Sequence, residues 1–173
     1  MAVRYPAERI ESIEGFGDLL LRAVRPDDRD AVGRFFGRLT PDDVRTRFFC
    51  GLRRLSQGHV DRLVTPDFEH EMALLAIESG GGEILGVVRL AETDAGAEIA
   101  ITVRSDLKHK GIGKRLLHRA LDYARLHGTQ DVYGDILADN RASIGLARKF
   151  GFTVSRSPEA PHLVRARLRL GGT

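Results

Sequence analysis

Cysteine is all but missing from this chain: Cys50 is the only one in 173 residues. One thiol excludes an internal disulfide and a cysteine-based metal cluster, and Cys50 reads as a small buried hydrophobe. No apolar run approaches the ~18 residues that cross a bilayer. The opening "MAVRYPAERIESIEGFG" has no continuous apolar core of the kind a secretory signal carries. A cytoplasmic location without a membrane partner is the expectation. The histidines (His59, His70, His109, His118, His127, His162) stand apart, none at metal-ligand spacing from a partner, so no metal is expected. The net charge of +3 is too small to imply nucleic acid.

The distribution of charge says more than its total. Between Arg104 and Arg119 stand Lys108, Lys110, Lys114 and Arg115 as well, against the single acid Asp106. This is a local positive site on an otherwise ordinary surface. The block holds no Phe, Tyr or Trp, whereas single-strand nucleic-acid binders interleave aromatics for base stacking. No nucleic-acid partner is expected. With 42% hydrophobic and 29% charged residues, the composition is that of a globular domain with one core. Residues 1–18 read as an N-terminal extension and 19–173 as a single domain.

Hydrophobic periodicity orders the chain. "DLLLRAVRPDD" reads as a strand broken at Pro26, after which Asp27 or Asp28 caps a helix to about Leu39. "LTPDDVRTRFF" offers Thr40 as N-cap with Pro41 at the first helical position. Ser56 starts a further short helix. "EMALLAIES" and "EILGVVRLAET" form a hairpin around Gly80-Gly81-Gly82, and "AEIAITVRSD" is a third strand. Leu116, Leu117, Ala120, Leu121 and Ala124 lie at helical spacing, with Gly128 as a stop. "DVYGDIL" is a strand, Asn140 caps a helix that Gly151 ends, and "FTVSRS" and "HLVRARLRL" are the last strands. The alternation of Arg165, Arg167 and Arg169 with apolar residues predicts one solvated face. The order predicts a mixed α/β (α+β) layer rather than a regular doubly wound fold.

The stretch "KHKGIGKRLL", Lys108–Leu117, joins a strand to the long helix. A dinucleotide fingerprint needs a third glycine where Leu116 stands. A P-loop needs a glycine at Lys108 and Ser or Thr at Arg115. Both fail. What remains is a short basic Gly-Ile-Gly loop at a helix start, where free N–H groups and the helix dipole attract an anion. A tight turn beside a solvated basic face is the alternative.

"ITVRSDLKHKGIGKRLL" resembles the pyrophosphate motif of the GNAT family of N-acetyltransferases, Q/R-x-x-G-x-G/A, and "NRASIGLARKFGF" is similar to that family's Asn-capped helix ending in Gly-Phe. The resemblance covers about Leu19 to Leu170. It implies a central, mostly antiparallel mixed sheet of about seven strands with helices on both faces. "RLTPDDVRTRFF", "RRLS" and "DFEHEMALLAI" look closer to one branch, the acetyltransferase domain of bacterial protein lysine acetyltransferases. That branch often carries a large synthetase-like or nucleotide-binding domain, for which 173 residues leave no room. Lys108 replaces the usual Gln or Arg, and His109 a frequent glycine.

What the resemblance implies for the site is specific. Acetyl-CoA is the cosubstrate. Lys108, His109, Lys110, Gly111, Ile112, Gly113 and Lys114 hold its pyrophosphate. Main-chain atoms of Ile101, Thr102 and Val103 pair with the pantetheine arm like an added strand, and Asn140 contacts the coenzyme or serves only as a cap. Glu98, an acid beside Ile99, Ala100 and Ile101, is the expected general base. A lysine acceptor has a reference pKa near 10.4 and must lose a proton before it attacks. The Val103 N–H is the expected donor to the tetrahedral oxygen. The tyrosine that protonates the thiolate in many relatives is Ala147 here, so no general acid is assigned. A protein lysine, for example on an acyl-CoA synthetase, is the first expected acceptor. A small amine, or a non-catalytic acyl-CoA-binding module, is the alternative. Asp67, Glu69 and Glu71 near His70 read as a solvated loop rather than as a lure for a cationic lysine. Oligomeric state is open.

Overall fold

In the computed structural model, residues 6–48, 56–157 and 160–171 are described. Cys50 and Arg53–Leu55 of "RRLS" lie outside them. The strands are β1 (Arg9–Ile13), β2 (Gly17–Ala23), β3 (Glu71–Glu78), β4 (Ile84–Thr93), β5 (Gly96–Val103), β6 (Asp131–Leu137), β7 (Thr153–Arg156) and β8 (Leu163–Arg169). The helices are α1 (Arg29–Gly37), α2 (Pro41–Phe48), α3 (Gln57–Val64), α4 (Ile112–Leu126) and α5 (Arg141–Lys149). One eight-stranded sheet runs in the order β1-β2-β3-β4-β5-β6-β8-β7. Every neighbouring pair is antiparallel except β5–β6. Among the described residues no helix is long and apolar enough to cross a membrane.

The eighth strand is β1, inside the segment read as an extension. Gly15 at φ 73° and Gly17 at φ 119° turn the chain so that Arg9–Ile13 pairs with β2. Left-handed backbone of this kind suits glycine. The hairpin is tied to α4 by Arg115, which donates to the Ser12 carbonyl at 3.0 Å, and by Arg119, which donates to the Ala7 carbonyl at 2.5 Å.

Local chemistry accounts for most element ends. Thr40 caps α2 as expected. Its Oγ1 accepts from the Asp43 N–H at 3.2 Å, and the Asp43 carboxylate accepts from the Thr40 N–H at 3.1 Å. Gly128 at φ 73° follows α4 and Gly151 at φ 85° follows α5. Asp28 behaves differently from the expected cap of α1. Its carboxylate takes two bonds from the Arg22 guanidinium, both 2.7 Å, and one from the Arg25 N–H. The arginine stripe of β8 is also less wet than its alternation predicts. Arg165 is the register partner of Asp135 on β6, donates to it at 2.8 and 2.9 Å, and stacks 4.9 Å from the Tyr133 ring centre. Only Arg167 and Arg169 of the three are exposed.

Two layers of helix cover the sheet's middle. On one face α4 buries Ile112, Leu116, Leu117, Ala120, Leu121 and Ala124, each large side chain contributing about 1.5–3 kcal/mol. Helix and sheet meet closely at Gly86 on β4, where an added Cβ would sit 3.0 Å from a Leu116 methyl. That contact fixes the height of the first turn of α4 above the sheet. On the other face α1 and α3 bury Val32, Phe35, Val60, Leu63 and Val64.

Candidate active site

The parallel pair β5–β6 makes only two ladder contacts, Ala97↔Val132 and Glu98↔Tyr133. Gly134 explains how close the strands come just beyond them. A Cβ there would lie 2.8 Å from the Ile99 carbonyl oxygen. Past that point the strands part, and among the described residues no strand pairs with this edge of β5 from Ile101 onward. The pleat settles which groups face the opening. The Arg104 N–H points to β4, donating to Leu85 at 3.1 Å, and strand alternation sends Thr102 the same way. Ile101 and Val103 therefore present their main-chain groups to the gap, whereas the Thr102 main chain belongs to the ladder with Val87. Of the three residues expected to pair with an extended ligand, two face it.

The glycine loop closes one end of this gap. Helix α4 begins after Gly111, which sits at φ 87° and offers no side-chain cap. His109, where relatives often have glycine, takes φ 67°. Among the described residues the N–H groups of His109, Gly111, Ile112, Gly113 and Lys114 donate to no protein acceptor. A helix start usually satisfies such groups with a side chain. Here the N–H of His109 and four successive ones from Gly111 to Lys114 stay available at the positive end of a fifteen-residue helix, a cradle for a phosphate group. A Cβ on Gly113 would make only ordinary 3.7 Å contacts with Leu146 and Val103, so the protein itself leaves room there.

The basic cluster divides on inspection. Lys108 does not reach toward the loop. Its Nζ lies 2.8 Å from Asp43 Oδ1 on α2. Asp43 is 2% exposed and also accepts from the hydroxyls of Ser105 (2.5 Å) and Thr40 (3.0 Å). Burial pushes its carboxyl up, but the bonds from Lys108, Ser105 and Thr40 outweigh that and hold it below its ordinary range. Arg104 pairs with Glu83 and Asp106, and Arg115 with Glu11. Lys110 and Lys114 are exposed and form no ion pair among the described residues. They are the cations available to a loop ligand. Asn140 caps α5, its Oδ1 accepting from the Ser143 N–H at 3.1 Å; among the described residues its amide NH2 donates to no protein acceptor. Ala147 is buried in α5.

Glu98 lies on the opposite face of β5 from the residues that meet α4. Its side chain is exposed and lines a hollow of about 340 Å³ between the sheet and α1–α3. Ala100 and Arg89 form the floor; Phe36, Arg47, His59, Arg62 and Leu63 form the walls. Arg89 pairs in register with Ala100, which makes it the diagonal neighbour of Glu98, roughly 7–8 Å away between Cα atoms. Burial and the neighbouring Arg89 push the Arg47 guanidinium down to about 10, with Glu98 opposing. A larger hollow, about 490 Å³, lies at the far edge of the sheet around Arg22, Pro26 and Phe68. It touches neither the loop nor Glu98.

The arginines of this hollow were not among the residues singled out from sequence. A cue existed in Arg89, a charge inside the apolar run "ILGVVRLA". Of the acids around His70, Asp67 ties its own loop and Glu71 reaches an arginine of the hollow. Asp67 accepts from the N–H groups of Glu69, His70 and Glu71, and those of His70 and Glu71 lower its carboxyl most. Glu71 holds Arg89 at 2.7 Å.

A profile of the acetyltransferase (GNAT) family matches residues 43–152. An acetyltransferase of Pseudomonas aeruginosa is 30% identical over 165 residues, covering 93% of this chain and 89% of that protein. An L-methionine sulfoximine/L-methionine sulfone acetyltransferase of the same species is 35% identical over 88 residues, 47% of this chain and 51% of its own length. Among solved structures, the GNAT domain of Streptomyces lividans PAT superposes with a TM-score of 0.88 at 26% identity, covering 96% of this chain and all of that one.

Proposed function

This chain belongs to the GNAT family of N-acetyltransferases, and we propose that it carries the acetyl group of acetyl-CoA directly to the primary amine of a small acceptor. One observation carries the reading. A single strand, β5, bears Glu98 toward the hollow, bares the main chain of Ile101 and Val103 at the gap, and ends in the loop of five free N–H groups. Donor and acceptor would thus meet across the edge of one strand.

In this reading the N–H row and Lys110 and Lys114 grip the coenzyme diphosphate, and the Ile101 and Val103 main chain aligns the arm behind it. The amine nitrogen bonds to the thioester carbonyl carbon and the carbon–sulfur bond breaks. Glu98 takes the amine's proton, directly or through one water, and passes it to solvent. The Val103 N–H is the donor to the oxygen that becomes negative. The sulfur leaves as thiolate, which needs little help because a thiol pKa is near 8.5. With Ala147 where a tyrosine would stand, water returns the proton.

The acceptor divides two readings. Protein lysine rests on the likeness of "RLTPDDVRTRFF" and "DFEHEMALLAI" to the lysine-acetylating branch and on the similarity to the S. lividans domain. The small amine rests on the hollow, which is at the low end of the ~300–1,000 Å³ usual for ligands and walled by cations. A partial relative is also named for amino-acid derivatives. The small amine comes first. Labelled acetyl-CoA incubated with the protein and a cell extract, then split by size, decides it. Label in the small-molecule fraction is expected; label confined to protein would restore the lysine.

A further inference from the structure

We infer that the hollow beside Glu98 selects amines that carry a carboxylate close to the amino group, the α-amino acids, with Arg89, Arg62 and Arg47 as the carboxylate-binding wall. The inference rests on the acetyltransferase reading and adds the chemical class of its acceptor.

The hollow is lined by three arginines and one acid, Glu98. Glu71 offsets Arg89 in part, from a position that is itself only partly buried. The lining still keeps a surplus of positive charge. A lysine side chain or a polyamine would bring a cation into that field, where Glu98 is the one acid among the described lining residues. An amine with a carboxylate brings the missing sign. Arginine is also the residue suited to it, because its planar fork matches a carboxylate in two parallel bonds.

The spacing agrees. In an α-amino acid the amine nitrogen lies about 2.5 Å from the carboxyl carbon. Glu98 and Arg89 are diagonal neighbours on one sheet face, so one such ligand can give its amine to the acid and its carboxylate to the arginine. Arg62 on α3 and Arg47 on α2 face the same space from above. Phe36 and Leu63 leave an apolar wall for an uncharged side chain. The burial of Arg47 next to Arg89 already disfavours its charge, and a bound carboxylate relieves that repulsion. The same cations disfavour the ammonium form of the acceptor, which helps Glu98 deliver a neutral nucleophile.

The test pairs each uncharged-side-chain L-amino acid with its own carboxamide, and adds Nα-acetyl-lysine amide as the lysine probe. Thiol release from acetyl-CoA gives kcat/KM. The best acid is expected to exceed its amide by about ten- to a hundredfold, the worth of a charged hydrogen-bonded pair. Arg62→Gln and Arg89→Gln should collapse that ratio by lowering the acid's value far more than the amide's. Calorimetry of acid and amide binding to the coenzyme A-loaded protein reads the same preference without turnover. Amides or the lysine probe acetylated as well as every acid would overturn the carboxylate site and leave the enzyme reading intact. Acids bound in preference to amides, with no transfer to any compound, would uphold the carboxylate site and sink the transferase reading. Absence of both binding preference and acid turnover overturns the inference.

Discussion

Replacing Asp43 by Asn isolates the link between helix α2 and the glycine loop. The carboxylate is 2% exposed and accepts four bonds, from Lys108 Nζ, Ser105 Oγ, and the Thr40 hydroxyl and N–H. Asn keeps the shape and one acceptor oxygen, but loses the charge that holds Lys108. A charge-assisted bond of this kind is worth about 1.5–3 kcal/mol. The Lys108 side chain is 42% exposed, so water recovers part of what its ammonium loses. The expected cost is about 2 kcal/mol, or about 4–8 °C in Tm for a chain of this size. The sign with pH follows from the lowered carboxyl. Its contribution is complete above the unfolded value near 3.9 and is lost as pH falls through the lower folded value. The difference between wild type and Asp43→Asn should therefore be full at pH 7 and shrink below about pH 4. Thermal unfolding by circular dichroism across that range is the assay. A Tm unchanged at pH 7, or a deficit that persists undiminished at pH 3, would refute the reasoning.

Glu98→Gln should keep coenzyme A affinity and lower kcat by about 10²–10⁴-fold, read by steady-state turnover beside calorimetry; unaltered turnover removes Glu98 as base. Lys110→Ala and Lys114→Ala should each weaken coenzyme A binding several-fold, with a smaller salt dependence than wild type, because both are exposed at the loop and form no ion pair among the described residues. Lys108→Ala should instead lower Tm, since its ammonium holds Asp43; weakened coenzyme binding at unchanged Tm would reverse these assignments. Gly134→Ala should cost more than ~1 kcal/mol and disturb the gap, because its Cβ would meet the Ile99 carbonyl at 2.8 Å; an unaltered denaturation midpoint would show that β6 can shift freely.

Contiguous features were legible in the sequence. The helical spacing of Leu116, Leu117, Ala120, Leu121 and Ala124 marks α4, and Gly111-Ile112-Gly113 marks the loop at its start. Both are written in neighbouring residues, so periodicity and turn chemistry reach them. Strand β1 was not legible. "RIESI" is short and mostly exposed, and becomes a strand because β2 offers an edge after a glycine turn. The fate of Lys108 was hidden for a similar reason: its partner Asp43 lies far off in sequence, and only the fold joins them. The Arg165 pairing with Asp135 also depends on register across β6 and β8. The hollow beside Glu98 is the extreme case. It draws on α1, α2, α3, β4 and β5, so no local pattern announces it, and Arg89 inside an apolar strand was the one visible trace.

The central claim is that the row of free N–H groups at the start of α4 holds the coenzyme diphosphate. Amide proton–nitrogen NMR spectra recorded during a coenzyme A titration test it most directly. The account predicts large saturable shifts of the His109, Gly111, Ile112, Gly113 and Lys114 amides, matched by smaller ones at Ile101 and Val103. Saturation of binding with those loop amides unmoved, and the shifts gathered elsewhere, would contradict it.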